Sequence, residues 1–157
     1  MNMKSSFSHD DLLYFMSEEK EGSKLPSKNM SMFDRILKVN STGGRYGKGE
    51  IIAEFDINPD KWFFSCHFPG DPVMPGCLGL DALWQISGFF LSWSGHQGKG
   101  RALGSDQVRF FGEIIPSTKL VRYHIHVRRI IKKDITMIIT DGDVYADNKH
   151  IYSSEKL

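Results

Sequence analysis

The segment from Cys77 to Trp93 constrains this chain more than any other part of it. It carries Leu78, Leu80, Leu83, Trp84, Ile86, Phe89, Phe90 and Leu91, a spacing that covers nearly every side of a helix. A helix that is apolar all round belongs inside something. It does not read as a membrane span, because Asp81 lies within it and Gln85, Ser87 and Ser92 interrupt it; a carboxylate in hydrocarbon is costly. The chain must therefore supply its own cover. At 157 residues, 40% of them hydrophobic, it has room for one domain spanning 1–157 and enough apolar material for a core.

The cover reads as strands. Glu50 to Ile57 alternates, with Ile51, Ala53, Phe55 and Ile57 to one side and Glu50, Glu54 and Asp56 to the other. Val121, Tyr123, Ile125 and Val127 alternate with Arg122, His124, His126 and Arg128. Met32–Asn40, a strand starting near Val108, Ile135–Thr140, and a hairpin joining Asp143–Ala146 to His150–Ser153 through Asp147-Asn148 complete the set. Ser8 followed by His9-Asp10-Asp11 predicts a short capped helix. No βαβ alternation and no dinucleotide fingerprint occur. The predicted class is α+β, a curved antiparallel sheet wrapped around one long hydrophobic helix.

Charge and cysteine usage narrow the function. Lys plus Arg total 20 and Asp plus Glu 19, a net charge of +1, which argues against a surface devoted to nucleic acid or anionic membrane. The two cysteines, Cys66 and Cys77, make neither a disulfide framework nor a zinc motif, and reduced thiols in the cytoplasm are expected. Met1 to Asp11 contains no apolar core of a signal peptide.

The chemistry concentrates in residues 66–85. His67, between Phe64 and Phe68, titrates near pH ~6.5 if unperturbed and can serve as a base; alone, a structural histidine is the commoner explanation. Asp81 enters the greasy helix, where Leu78, Leu80 and Leu83 would favour its neutral, proton-donating form by desolvation; a first-turn dipole role is the plain alternative. Gln85, at i+4, can hydrogen-bond to it. Pro75-Gly76 starts the helix, leaving the N–H groups of Gly76 and Cys77 free to grip a carbonyl oxygen, although simple helix initiation needs the same residues. Base, acid and carbonyl pocket together suit proton abstraction beside a thioester carbonyl, with the long helix lining an acyl channel. Cys66 and Cys77 are weak nucleophile candidates, since neither has a clear activating base. Arg128, Arg129, Lys132 and Lys133 form a basic cluster, either a solvated face or a dock for an acidic partner.

The runs Trp62-Phe63-Phe64-Ser65-Cys66-His67-Phe68, Gly70 to Gln85 and Gly98 to Gly104 resemble the 3-hydroxydecanoyl-[acyl carrier protein] dehydratase/isomerases. Asn29-Met30, Asp34-Arg35 and Ile57 to Asp60 extend the resemblance over most of the chain. It implies a hot-dog fold and a homodimer. His67 and Asp81 would be the catalytic pair, with Asp81 given by the opposite subunit and Gly76 donating to the thioester carbonyl. It implies dehydration of (3R)-3-hydroxyacyl-[acyl carrier protein] to the trans-2-enoyl thioester, then isomerisation to cis-3 at medium chain length. The partner implied is acyl carrier protein, without metal or cofactor beyond the carrier's phosphopantetheine arm. Pro69 matches the related dehydratase-only family instead, whereas Asp81 stands where that family has Glu. The sequence ends at Leu157, where relatives continue, which would shorten an edge and weaken a dimer. The rival activities on this fold are a thioesterase and a non-catalytic acyl-thioester binding module.

Overall fold

A computed structural model describes residues 3–157; the first two residues of the expected 1–157 domain lie outside the described residues. Six strands form one antiparallel sheet: β1 (Arg35–Asn40), β2 (Glu50–Asp56), β3 (Gln107–Phe110), β4 (Leu120–Lys132), β5 (Thr136–Ala146) and β6 (Lys149–Glu155). Their order across the sheet is β1-β2-β4-β5-β6-β3. Helix α1 (His9–Met16) precedes β1, and helix α2 (Gly76–Trp93) lies between β2 and β3 in the chain. This is the hot-dog arrangement, a sheet curved around a central helix.

The inner sheet face is built from the alternation seen in the sequence. Ile51, Ala53, Phe55, Val121, Tyr123, Ile125 and Val144 are all buried, as are Leu83, Ile86, Phe89 and Phe90 of α2. Gly142 lets the two layers meet: a Cβ there would stand 2.7 Å from a Leu83 methyl. Ser87, buried in the same layer, satisfies its hydroxyl on Leu83 O at 2.8 Å and Thr140 Oγ1 at 2.9 Å.

Helix α2 is not covered all round. Leu80, Asp81, Trp84, Gly88 and Leu91 stay half-buried and Cys77 is exposed, a stripe at helical spacing. The sheet lies on one side of the helix only, so one flank of α2 is left open.

Local signals explain most boundaries. Ser8 caps α1 with a reciprocal Ser8–Asp11 box. Asp147 and Asn148 take φ of 46° and 69°, the left-handed pair of a tight hairpin between β5 and β6. Two expectations need correction. The first strand begins at Arg35 rather than Met32, because the Met32 N–H turns to Gln85 Oε1 of α2 at 3.3 Å instead of a neighbouring strand. Ile135–Thr140 and Asp143–Ala146 are not separate segments; β5 runs straight through Asp141 and Gly142, and side chains from other elements hold the Asp141 and Asp143 carboxylates.

Candidate active site

Of the aromatic residues between β2 and α2, Phe63 and Phe64 pack into the core, while Trp62 and Phe68 stay exposed. A 3-10 turn, Trp62–Ser65, buries Phe63 and Phe64. The Trp62 indole donates to Asn29 O at 3.1 Å. Backbone bonds then lace the loop: His67 N–H to Phe63 O at 2.9 Å, Val73 N–H to His67 O at 2.8 Å, and Met74 N–H to Ile114 O at 2.9 Å. His67 is thereby fixed at both its amide and its carbonyl.

Its ring is fixed too. His67 Nδ1 lies 2.9 Å from Val73 O. A carbonyl can only accept, so Nδ1 carries the proton and the neutral ring keeps its lone pair on Nε2. Nε2 has no hydrogen-bond partner among the described residues. The Phe68 ring stacks at 3.8 Å with a 32° tilt, holding the imidazole plane.

His67 lines a cavity of about 360 Å³ together with Gly76, Cys77, Phe110 and Tyr152. The size suits a small-molecule site. The Gly76 and Cys77 N–H groups open α2 and have no acceptor among the described residues, whereas Leu78 N–H already bonds Pro75 O at 3.0 Å. Glycine at 76 lets the Phe110 ring close in, since a Cβ would stand 2.7 Å from it. Tyr152 roots the wall. Its hydroxyl sits where a side chain on Gly79 would be, lacks a partner, and burial pushes the phenol far above its ordinary value. A larger hollow of about 470 Å³ shares Gly112 and Glu113 with the first but is lined by neither histidine nor cysteine. Only the smaller of the two cavities is lined by His67 together with the residues that open α2.

Asp81 does not line that cavity in the single chain. It lies on the open stripe of α2, half-buried. Gln85 donates to Asp81 Oδ2 at 2.6 Å and to Met30 O at 2.8 Å, and accepts from Met32 N–H at 3.3 Å. The amide therefore joins the carboxyl to the loop before β1. His67, Gly76 and Cys77 come together; Asp81 and Gln85 form a second group on another face of the helix.

The basic cluster divides. Arg128 is spent within the fold, its Nε 2.6 Å from Asp141 Oδ1 and its Nη2 3.5 Å from Glu155 Oε2. Arg129, Lys132 and Lys133 are exposed near the β4–β5 hairpin. A register shift between Val127 and Arg129 turns both arginines to the outer face, where Arg128 finds carboxylates. Residues that sequence reasoning missed as cavity walls are Phe110 and Tyr152, brought in by β3 and β6; nothing near His67 in sequence signals them. Among the described residues, one His/carboxylate group has metal-ligand spacing, Glu50 with His124 and His126, and it lies away from this cavity.

A family described as FabA-like domain matches residues 25–155. Among solved structures, the dehydratase heterocomplex ApeI:P from Xenorhabdus doucetiae aligns with TM-score 0.51 at 12% identity, covering 77% of this chain and 93% of that one. A protein from Erwinia carotovora subsp. atroseptica, described as uncharacterized, aligns with TM-score 0.49 at 15% identity, covering 77% and 91%. At these identities the structural likeness bears on fold alone. The family match covers most of the chain and the run that carries His67, Gly76 and Asp81, and by it this protein belongs to the FabA-like domain family.

Proposed function

We propose that the protein dehydrates (3R)-3-hydroxyacyl thioesters carried on acyl carrier protein and isomerises the trans-2-enoyl product to cis-3 at medium chain length. The observation that carries this reading is a histidine with its lone pair directed to Nε2, in a cavity where two unpaired backbone N–H groups await an oxygen. His67 Nε2 removes a C2 proton. The electron pair moves toward the thioester carbonyl, whose oxygen the Gly76 N–H holds, with Cys77 beside it and the positive end of α2 behind. The pair then returns to form the C2–C3 double bond as the C3 hydroxyl leaves, protonated by Asp81, as water. For isomerisation His67 removes a proton from C4 and a second group returns one at C2. No step calls on a metal or organic cofactor beyond the carrier's arm.

The acid in this scheme comes from a second copy of the chain, in a homodimer. Two features support that arrangement: Asp81 lies off its own chain's cavity, and the helix stripe that bears it is uncovered. Gln85 is the positioning residue, holding the carboxyl through the 2.6 Å bond. Arg129, Lys132 and Lys133 are the docking residues for an acidic carrier, while Arg128 serves only by fixing the strand beneath them. A cytoplasmic location accords with two free cysteines.

The test is incubation with a medium-chain 3-hydroxyacyl thioester. Enoyl absorbance is expected, and mass spectrometry after separation of isomers reports trans-2 against cis-3 decenoyl product. Release of free thiol instead would assign a thioesterase, and binding without turnover a non-catalytic module.

A further inference from the structure

The sheet face turned away from α2 gathers ionisable groups that the proposed reaction does not use. Strand geometry sends every second side chain to the same side. His124 and His126 of β4 therefore stand together, ring centroids 3.9 Å apart. Strand β2 runs beside β4 in a register that sets Glu50 directly opposite His126. Glu50 and His126 are each only 7% exposed. One ligand atom from each of the three residues lies within 4.8 Å of the others, and His124 Nε2 and Glu50 Oε2 are 2.8 Å apart.

We propose that Glu50, His124 and His126 form a binding site for a divalent transition-metal ion of the zinc class. The donor set is two imidazoles and a carboxylate, which suits zinc better than the oxygen-preferring calcium or magnesium. A tetrahedral ion needs donors about 3.3 Å apart, so rotations about side-chain bonds suffice to close around it. The carboxylate is already aimed. Lys38 Nζ at 2.6 Å and Asn40 Nδ2 at 3.1 Å hold Glu50 Oε1, leaving Oε2 for the histidines.

The protons can be followed. Glu50 Oε2 only accepts, so without an ion His124 carries its proton on Nε2. That side chain is 26% exposed, and solvent can carry the proton to Nδ1, freeing the Nε2 lone pair without net proton release. His126 Nδ1 accepts the Arg45 N–H at 3.2 Å, and an ion competes with that amide for the lone pair. Asp143 Oδ2 lies 3.4 Å from His126 Nε2, but Arg45 at 2.7 Å and His150 at 3.1 Å hold its oxygens. The site is thus three protein donors completed by solvent. Lys38 and Arg45 beside it oppose a dication and set the expected affinity in the micromolar range.

Calorimetric titration of the full chain with Zn²⁺ alone tests this independently of catalysis. One ion per chain is expected. His124→Gln and Glu50→Gln should each weaken binding at least ~10-fold with unchanged circular dichroism, whereas His9→Gln, exposed on α1, should leave it unaltered. Should a variant fail to fold, the wild-type protein still decides: Zn²⁺ should shield His124, and not His9, from diethyl pyrocarbonate. The absence of zinc uptake at millimolar metal, binding that neither variant alters, or a His124 that stays reactive under zinc overturns the site and leaves a hydrogen-bonded network only.

Discussion

Strand β4 has two faces that obey different rules. Its inward side chains, Val121, Tyr123, Ile125 and Val127, are buried by α2 and neighbouring strands, and their role follows from their own apolar character. Its outward side chains, Arg122, His124, His126 and Arg128, take their role from partners far away in sequence. Arg122 reaches Glu54 at 2.8 Å and Arg128 reaches Asp141 at 2.6 Å. One face is specified residue by residue, the other pair by pair. The candidate active site belongs to the helix side, yet it needs both kinds of specification.

The largest effect should come from the base. His67→Ala is expected to lower turnover of the hydroxyacyl thioester by at least ~10³-fold, the upper part of what a positioned general base contributes, while melting temperature stays close to wild type because the ring is only half-buried. Near-normal turnover would remove His67 from the chemistry.

Stability separates the two faces of the sheet more directly. Leu83→Ala, at a fully buried position on α2, should cost about 3 kcal/mol, equally at pH 7 and at pH 3. Asp141→Asn should cost about 2 kcal/mol at pH 7, since it removes the charge of a buried carboxylate, 2% exposed, and leaves one oxygen where Arg128, Tyr46 and the Lys156 amide now share two. Burial opposes ionisation here, but Arg128, Tyr46 and the amide together hold the Asp141 carboxyl below its ordinary 3.8. A depressed carboxyl stabilises fully above its unfolded value and loses that contribution as pH falls through the folded one. The cost of Asp141→Asn should therefore shrink below pH 3.8, and that of Leu83→Ala should not. Urea midpoints at several pH values check both; parallel costs would erase the distinction between the faces.

The same distinction explains what the sequence disclosed. The buried helix, the strand alternation, the Ser8 cap and the Asp147-Asn148 turn rest on local patterns, and the structure contains them. Ile135–Thr140 and Asp143–Ala146 look like two runs in sequence, but Arg128 and Tyr46 hold the Asp141 carboxylate between them and the strand continues. Arg128 and Arg129 look alike in sequence, but only Arg128 comes within reach of carboxylates, those of Asp141 and Glu155. At the site, the loop around His67 and the free amides of Gly76 and Cys77 could be anticipated from Pro, Gly and aromatic spacing. Phe110 and Tyr152 could not, because only the β6–β3 pairing brings them to the cavity. The i,i+4 contact between Gln85 and Asp81 was legible; the anchoring of Gln85 on Met30 and Met32 was not.

That anchoring yields a smaller effect. Gln85→Ala should leave Asp81 present but less well held, lowering kcat by about 10-fold, or about 1.4 kcal/mol, with KM little changed. A loss confined to KM would make Gln85 a binding residue, not one that positions the acid. Gln85→Glu offers no N–H to Asp81 and should not recover the rate.

The smallest effect belongs to the outer face, at the β4–β5 hairpin. Arg129→Glu reverses one exposed charge that has no carboxylate partner among the described residues. An exposed charge contributes little to stability, so the melting temperature should not move. If the hairpin meets an acidic carrier protein, the change should raise KM several-fold for the carrier-bound substrate and leave a short free thioester analogue unaffected. Screening shortens such attraction to about 8 Å at physiological ionic strength, so the difference between variant and wild type should fade as salt is added. Arg128→Gln provides the counterpart: it should lower stability by breaking the Asp141 pair at every salt concentration. An Arg129→Glu enzyme whose KM for the carrier substrate is unchanged at low salt would detach docking from this hairpin, and the contrast between two adjacent arginines would then be one of packing alone.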